Sequence, residues 1–242
     1  MNFDDCLAAI DDRSAAFRSA ARDATDLFAR VPGCPEWTLR DLIAHLGGVQ
    51  LFWAAVVRAG SVPDPRPDTT PHGDLFAWSD ASTQALLEAL REVGPEKPCW
   101  TWWEPSGAPQ TAGAVARHQV QEAAVHAWDA METNKKLSPL PAPIAIDAID
   151  EFLVVSLGSE GAWPHPPARL ALVAEEGSSW TVDLTESGAA VVPADGDAPT
   201  TTVRGPASDV LLALFGRVRP SRLRIDGDAT VFHRVLAWAD TE

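Results

Sequence analysis

The sequence is poor in several residue types that would otherwise define its class. It has no tyrosine, and its three cysteines, Cys6, Cys34 and Cys99, are widely spaced and odd in number. This pattern argues against a disulfide framework and against a zinc site built from several cysteines. Only three lysines are present, whereas alanine, arginine, aspartate and proline are plentiful. Such a composition is typical of a high-GC genome.

Positive charge is also scarce. The chain has 19 lysine and arginine residues against 34 aspartate and glutamate residues, for a formal net charge of −15. This balance argues against nucleic acid and against anionic membrane surfaces as partners. The 242 residues, 46% of them hydrophobic, suffice for one large folded domain or two modest ones.

Long apolar runs are missing as well. No run approaches the roughly 20 residues that a membrane-spanning helix needs. The N-terminus, Met-Asn-Phe-Asp-Asp, lacks the basic and apolar regions of a signal peptide. The sequence therefore predicts a cytoplasmic protein.

Hydrophobic periodicity predicts four helices in the first half of the chain, over residues 2–29, 39–59, 75–93 and 111–132. The second helix has the clearest ends, since Thr38 is followed after three residues by Asp41, as in a capping box, and Gly60 stops it. Its expected core stripe is Leu42, Leu46, Val49, Trp53 and Val56. The proline-rich segment 61–72 and the tryptophan-containing segment 94–110 are predicted to be loops. Four helices with two long connections indicate a four-helix bundle.

A proline-rich stretch at 137–143 predicts a boundary between a domain at 1–136 and a second at 143–242. Beyond it the periodicity changes to a mixed pattern of helices and strands. Helices are predicted over 143–157, 206–215 and 229–239, and strands over 168–174, 179–184, 200–204 and 222–226. The fold class is therefore α+β, with the helical bundle first.

The fourth helix carries a polar stripe beside an alanine-rich packing face. The stripe comprises His118, Gln119, Glu122, His126 and Asp129. Such groups must find partners, because burying them unpaired costs several kcal/mol.

Glu122 and His126 are four residues apart, so both side chains can reach one metal ion from a single helix. His45, beside the core stripe of the second helix, is the candidate third ligand. Spacing alone leaves other interpretations open: His45 as a hydrogen-bonded core residue, and Glu122 with His126 as a surface pair. His118 is a further candidate ligand or a solvated side chain, and Asp129 either supports His126 or lies on the helix surface.

Three segments of the chain resemble segments of one known family. The run Val31–Gly48 (VPGCPEWTLRDLIAHLGG) resembles the N-terminal signature of the maleylpyruvate isomerase family, and Arg117–Ala130 (RHQVQEAAVHAWDA) resembles its second metal motif. The segment Leu211–Arg217 (LLALFGR), followed by Gly227 and Asp228, is similar to the family's C-terminal domain. Members of the maleylpyruvate isomerase family are mycothiol-dependent metal proteins of actinobacteria, within the DinB-like four-helix bundle superfamily.

The resemblance implies a DinB-like four-helix bundle with a smaller C-terminal α+β domain. It also implies a divalent metal, zinc by preference, held by His45, Glu122 and His126 with a water completing the site. Mycothiol is the implied cosubstrate. One departure is Gln121, which stands where the family often has histidine before the metal-binding glutamate.

Three protein ligands and one open position are typical of catalytic zinc sites. A thiol in the open position would be held as thiolate, a strong nucleophile. The sequence thus predicts a thiol-using isomerase or transferase acting on a small electrophile. A non-catalytic metal- and small-molecule-binding protein on the same fold is the alternative, and a structural interaction module is a third possibility.

Several other side chains are of interest for the substrate. Arg217 is predicted to face an anionic substrate, with a structural salt bridge as the alternative. Trp37 is expected to pack between helices. Trp100, Trp102 and Trp103 either line the pocket entrance or pack internally. The loops at 61–74 and 94–110 are expected to shape the substrate pocket. Cys34 is expected to be a small buried residue, since the sequence places no histidine or lysine near it.

Overall fold

The computed structural model describes residues 1–239, which form two compact units. The first unit comprises Met1–Trp102 and Pro109–Leu140, and the second comprises Trp103–Ala108 and the residues from Pro141 onward. A short piece of the second long loop therefore belongs to the second unit.

The first unit contains four long helices and one short hairpin. Helices α1–α4 span Phe3–Arg22, Leu39–Ala59, Leu75–Val93 and Ala112–Thr133, and the hairpin strands β1 and β2 span Arg30–Val31 and Cys34–Thr38. The bounds of α2 and α3 match the sequence prediction, and α4 differs from it by one residue at each end.

Side-chain caps explain where these helices begin. Thr38 accepts a hydrogen bond from the backbone of Asp41 while the Asp41 side chain caps Thr38, so the predicted capping box is confirmed. Asp74 and Thr111 cap α3 and α4 in the same way. Gly60 ends α2 in a left-handed conformation, φ 76°, which glycine adopts without the steric cost that a Cβ brings.

The prediction for α1 was too long, because this helix ends at Arg22 instead of continuing to residue 29. The following Asp-Ala-Thr-Asp segment is poor in strong helix formers. Asp26 instead accepts a hydrogen bond from the backbone N–H of Phe28, which is 70% exposed. The proline-containing stop signal after it forms the β1–β2 hairpin, which the sequence analysis did not predict.

The core of the first unit draws apolar side chains from all four helices and the hairpin. Helix α1 packs chiefly on α4, and α2 chiefly on α3. Alanines of α4 permit close approach of its neighbours. The main cluster contains Phe17, Ala21, Val31, Leu39, Leu42, Ile43, Leu46, Leu75, Trp78, Ala127 and Ala130. Val49, predicted in the core stripe, is only partly buried.

A buried polar network links α1, α2 and α3. Arg18 donates to the hydroxyl of Thr83 (2.9 Å), Thr83 donates to the Gln50 side chain (2.8 Å), and Gln50 donates to Ser14 (2.9 Å). Arg18 also pairs with Asp80 at 2.7 Å. Because these buried groups satisfy one another, the network can fix the relative positions of the three helices.

In the described part of the chain, α2 passes a length and composition test for a membrane span, with a mean hydropathy of 1.4. Half of its most apolar window is buried inside the protein. The sequence prediction was that no apolar run approaches the length of a membrane-spanning helix.

The second unit is built on a five-stranded mixed sheet with strand order β5-β4-β3-β6-β7. Strands β3 and β6 are parallel, and the other neighbours are antiparallel. The strands β3–β7 span Ala168–Ala174, Ser179–Thr185, Gly188–Val192, Thr201–Gly205 and Arg224–Gly227. Helices α5–α8 span Ala142–Val154, Ser156–Ser159, Ala207–Leu214 and Ala229–Trp238.

A helical first part followed by a mixed sheet confirms the predicted α+β class. Strand β5 was missed, because Gly188 and two alanines give it little β propensity. Its pairing with β4 forms it nonetheless, across a tight turn that begins at Thr185. The predicted helix at 143–157 divides into α5 and α6 near Val155.

Candidate metal centre

The structure brings together the three predicted ligands, His45 from α2 and Glu122 and His126 from α4. The Oε1 atom of Glu122 lies 2.9 Å from Nε2 of His45 and 3.4 Å from Nε2 of His126. One donor atom from each of the three residues lies within 4.8 Å of the others. The two nitrogens and the carboxylate oxygen thus converge on a volume of the size that one metal ion would occupy.

Asp129 supports this arrangement from the opposite side of His126. Its Oδ2 atom lies 2.9 Å from Nδ1 of His126, and Asp129 is fully buried. A carboxylate at Nδ1 fixes the orientation of the imidazole ring and directs Nε2 towards the cluster, where it could bind a metal ion once deprotonated. The sequence left open whether Asp129 supports His126 or lies on the helix surface. The structure shows that Asp129 is buried and contacts His126.

The charges of the cluster are coupled to one another. Burial raises the pKa of Glu122, but the charge and hydrogen bond of His126, with the hydrogen bond of His45, outweigh it and hold that pKa well below its ordinary value. Burial lowers the pKa of His126, but Glu122 and Asp129 together raise it to about 9. Two carboxylates around one imidazole thus favour a bound cation, and a divalent metal ion would fit this donor set.

A second donor set shares His126. Cys34, His126 and Asp129 also place one donor atom each within 4.8 Å of one another, and Cys34 Sγ lies 3.9 Å from Asp129 Oδ2. This set uses the Nδ1 side of the ring, where Asp129 already holds it. The expectation that no histidine lies near Cys34 was wrong, because the hairpin and α4 are distant in sequence but adjacent in the fold.

Trp37 packs directly against the candidate ligands. Its ring centroid lies 4.5 Å from that of His45 and 6.4 Å from that of His126. The hairpin that carries Trp37 ends at the cap of α2, so one short segment positions both Trp37 and the start of the helix that bears His45. This indole therefore forms one side of the candidate metal centre.

A cavity of about 510 Å³ opens beside His45 and Glu122. Its walls come from α2, α4 and both long loops of the first unit, which confirms the expectation that these loops shape a pocket. The twelve lining residues are Ala44, His45, Gly48, Val49, Phe52, Trp53, Arg66, Pro67, Thr69, Trp102, His118 and Glu122. Pockets of this size accommodate small organic ligands.

The tryptophans of the second loop have different positions. Trp102 lines the cavity and is 42% exposed, and Trp100 stacks on Trp53 with a centroid distance of 5.9 Å. Trp103 is fully buried and belongs to the second unit. His118 makes edge contacts with Trp53 and Trp102. It therefore belongs to the aromatic wall of the cavity and to neither donor set.

Arg217 lies in the second unit, in the turn that follows α7. Its guanidinium donates to the backbone carbonyl of Phe215 at 2.8 Å. This contact helps to close the turn, and a substrate contact of Arg217 stays a prediction. The neighbouring arginines are partly engaged as well, since Arg222 pairs with Asp209 and Arg224 with Asp226.

Sequence reasoning missed two features of this site. It identified neither the wall contributed by Arg66, Pro67 and Thr69 nor the contact between Cys34 and Asp129. The proline-rich composition marked the loop, but nothing in the sequence indicates which helix such a loop covers. Gln121, the position where the chain departs from the family pattern, is buried and belongs to neither donor set.

The fold and the donor cluster define an α+β protein with a candidate metal centre in its helical part. The chain belongs to the mycothiol maleylpyruvate isomerase family. The family's N-terminal domain matches residues 7–131, and its C-terminal domain matches residues 143–234.

Two similar solved structures share this fold. One is a crystal structure of the mycothiol-dependent maleylpyruvate isomerase, with 16% sequence identity, a TM-score of 0.65 and 95% of each chain covered. The other is a histidine-to-alanine mutant of the mycothiol-dependent maleylpyruvate isomerase, with 13% identity and the same TM-score and coverage. A search of curated proteins gave no match.

Proposed function

We propose that this protein is a metal-dependent enzyme that uses mycothiol to isomerise, or to transfer the thiol to, a small electrophilic substrate. Zinc is the proposed metal, and His45, Glu122 and His126 are its proposed ligands. The observation that carries the proposal is the convergence of these three side chains beside a cavity with room for a small molecule.

The donor chemistry favours zinc. Two imidazole nitrogens and one carboxylate oxygen form a ligand set that occurs in catalytic zinc sites, where a fourth position stays open. His45 and Glu122 both line the cavity, so a ligand in the cavity can reach the open position. The Nδ1 side of His126 faces the fully buried Asp129, which makes the alternative set with Cys34 less accessible.

When bound, the metal would hold the thiol sulfur as a thiolate at neutral pH. Side chains of the protein position the metal ligands and the electrophile. Asp129 fixes the ring of His126, Trp37 forms one side of the candidate metal centre, and the aromatic wall orients the electrophile. In isomerisation, the sulfur adds to one carbon of the double bond, rotation follows about the resulting single bond, and loss of the sulfur restores the double bond. In transfer, the new carbon–sulfur bond replaces the bond to a leaving group.

The cavity binds the small-molecule substrate in this proposal, and the thiol is the second partner. We place the activity in the cytoplasm. The three cysteines form no disulfide, which fits a reducing compartment.

The test combines metal analysis with turnover. Zinc-loaded wild type is assayed with mycothiol for isomerisation of maleylpyruvate and for conjugation of the thiol to an aryl halide. We expect His45→Ala and Glu122→Ala to lose both bound zinc and activity. His72→Ala, an exposed histidine outside both donor sets, is the matched control and should retain both.

Two outcomes would contradict the proposal. If the wild type and both ligand variants bind the same amount of zinc, these residues are not the ligands. If zinc-loaded wild type turns over neither electrophile, the non-catalytic metal- and small-molecule-binding protein becomes the better description.

A further inference from the structure

One arginine is placed in the wall of the cavity that contains the candidate metal ligands. Arg66 lies in the loop between α2 and α3, and it lines the same cavity as His45 and Glu122. It is the only lysine or arginine among the lining residues. Arg66 thus places a positive charge in the cavity wall of a chain whose formal net charge is −15.

Arg66 is an exposed residue, and within residues 1–239 it has no hydrogen-bond or ion-pair partner. Some arginines of the first unit are paired: Arg58 contacts Glu92 at 3.0 Å on the surface, and the buried Arg18 contacts Asp80 at 2.7 Å. Arg66 makes no such ion pair within the described residues. Its five N–H donors are available to a ligand.

Among the lining residues of the cavity, Arg66 is the one arginine or lysine and Glu122 the one carboxylate. The carboxylate of Glu122 is engaged by both His45 and His126. The rest of the wall is aromatic, aliphatic or uncharged. An anionic group of a ligand in the cavity would therefore find its counter-charge at Arg66, and a planar guanidinium suits a carboxylate because it can donate two parallel hydrogen bonds.

The backbone around Arg66 is restrained. Proline precedes and follows it, which fixes φ at both neighbours and disfavours the helical conformation at Arg66. The same loop packs on α2 at Gly48, where an added Cβ would lie 3.4 Å from Cβ of Thr69. Gly48 is one turn after His45, so the loop that carries Arg66 lies close to the part of α2 that carries a candidate ligand.

We propose that Arg66 is a specificity-determining residue that binds a carboxylate of the substrate and selects anionic electrophiles over neutral ones. The inference rests on the proposed function in one respect, that this cavity is the electrophile site. It differs from the sequence prediction in assigning the anion contact to the bundle unit and not to Arg217.

The test is a binding measurement without thiol, so that it does not depend on turnover. Maleate and its neutral diamide are titrated into the protein, and binding is followed by tryptophan fluorescence, because Trp53 and Trp102 line the cavity. We expect Arg66→Ala to weaken maleate binding about tenfold, the effect of losing one charged hydrogen bond, and to leave diamide binding unchanged. Arg66→Lys should retain part of the preference for maleate.

Arg91→Ala, which removes an exposed arginine of α3 outside the cavity, is the matched control and should behave as wild type. Each titration is made with zinc-loaded and with chelator-treated protein, since a metal could itself bind a carboxylate; the effect of Arg66 should appear in both. If the wild type does not bind maleate, or if Arg66→Ala leaves the preference for maleate over the diamide unchanged, the inference is wrong. Loss of turnover with the preference intact would overturn the proposed function alone.

Discussion

At the scale of single residues, the organisation of the site centres on His126. Its two ring nitrogens have different tasks: Nδ1 contacts Asp129, and Nε2 faces Glu122. A histidine whose Nδ1 is held by a hydrogen bond binds a metal through Nε2 better than an unrestrained histidine does, because its tautomer and ring orientation are already set. The full burial of Asp129 shows that this contact is part of the core.

Replacing the supporting carboxylate should weaken metal binding without removing a ligand. We expect Asp129→Asn to lower zinc affinity roughly 10- to 100-fold, measured by competition with a chromophoric chelator. Glu88→Gln, an exposed carboxylate on α3, is the control and should leave the affinity unchanged. An Asp129→Asn protein with wild-type zinc affinity would show that this aspartate has no part in the site.

The charge of His126 also predicts how the metal-free protein responds to pH. Its pKa is raised to about 9 in the folded state, above the ordinary value of about 6.5 in an unfolded chain. The resulting stabilisation is therefore complete below about pH 6.5 and is lost as the pH rises through about 9. We expect the free energy of unfolding of chelator-treated protein to fall by at most roughly 3 kcal/mol over this range.

Urea unfolding at several pH values measures this effect. His126→Gln should show a smaller dependence on pH over the same range, because it lacks the titrating ring. Equal pH dependence in the two proteins would contradict the assigned electrostatics.

At the scale of secondary-structure elements, α2 shows how closely the bundle is packed. Its two adjacent glycines have different surroundings. A Cβ on Gly47 would lie 2.4 Å from a ring carbon of Trp78, which is buried, whereas a Cβ on Gly48 would meet Thr69 at an ordinary contact distance of 3.4 Å. Gly47 thus permits the close approach of α2 and α3 that places His45.

This difference predicts opposite effects from the same substitution at neighbouring positions. Gly47→Ala should destabilise the protein by about 1–3 kcal/mol through overpacking. Gly48→Ala should be neutral or stabilise it by up to about 1 kcal/mol, because alanine favours helix. Urea unfolding of both variants checks this, and equal destabilisation by the two would contradict the packing described for Gly47.

Element boundaries could be predicted where local chemistry determines them. Thr38 with Asp41 and Gly60 set the ends of α2, and each acts through contacts within a few residues. Strand β5 escaped prediction because its weak propensity is overridden by pairing with β4. Likewise, the end of α1 depends on the turn at Asp26, and no single strong breaker marks that turn.

The candidate site, like the element boundaries, could be predicted only where residues close in sequence determine it. Helical spacing brought Glu122 and His126 together, but their convergence with His45 depends on how α2 packs beside α4. The contacts of Cys34 with Asp129 and of Arg66 with the cavity come from segments far apart in sequence. Such contacts arise from tertiary packing, for which the sequence of either segment alone has no signal.

At the scale of the whole molecule, metal binding should change the stability of the folded protein. Any ligand that binds only the folded state raises its free energy of unfolding by mass action. We expect the thermal midpoint of the wild type to rise with added zinc and to fall on chelation. Glu122→Gln should respond much less, and a zinc response equal to that of the wild type would argue against Glu122 as a ligand.

The most direct measurement of the central claim is X-ray absorption at the zinc edge, before and after addition of mycothiol. Without thiol, we expect only nitrogen and oxygen ligands, at about 2.0–2.2 Å. With mycothiol, one sulfur should appear at about 2.3 Å. A sulfur ligand in the thiol-free protein would instead favour the set containing Cys34. The absence of sulfur after saturation with mycothiol would contradict a site that holds the thiol on the metal.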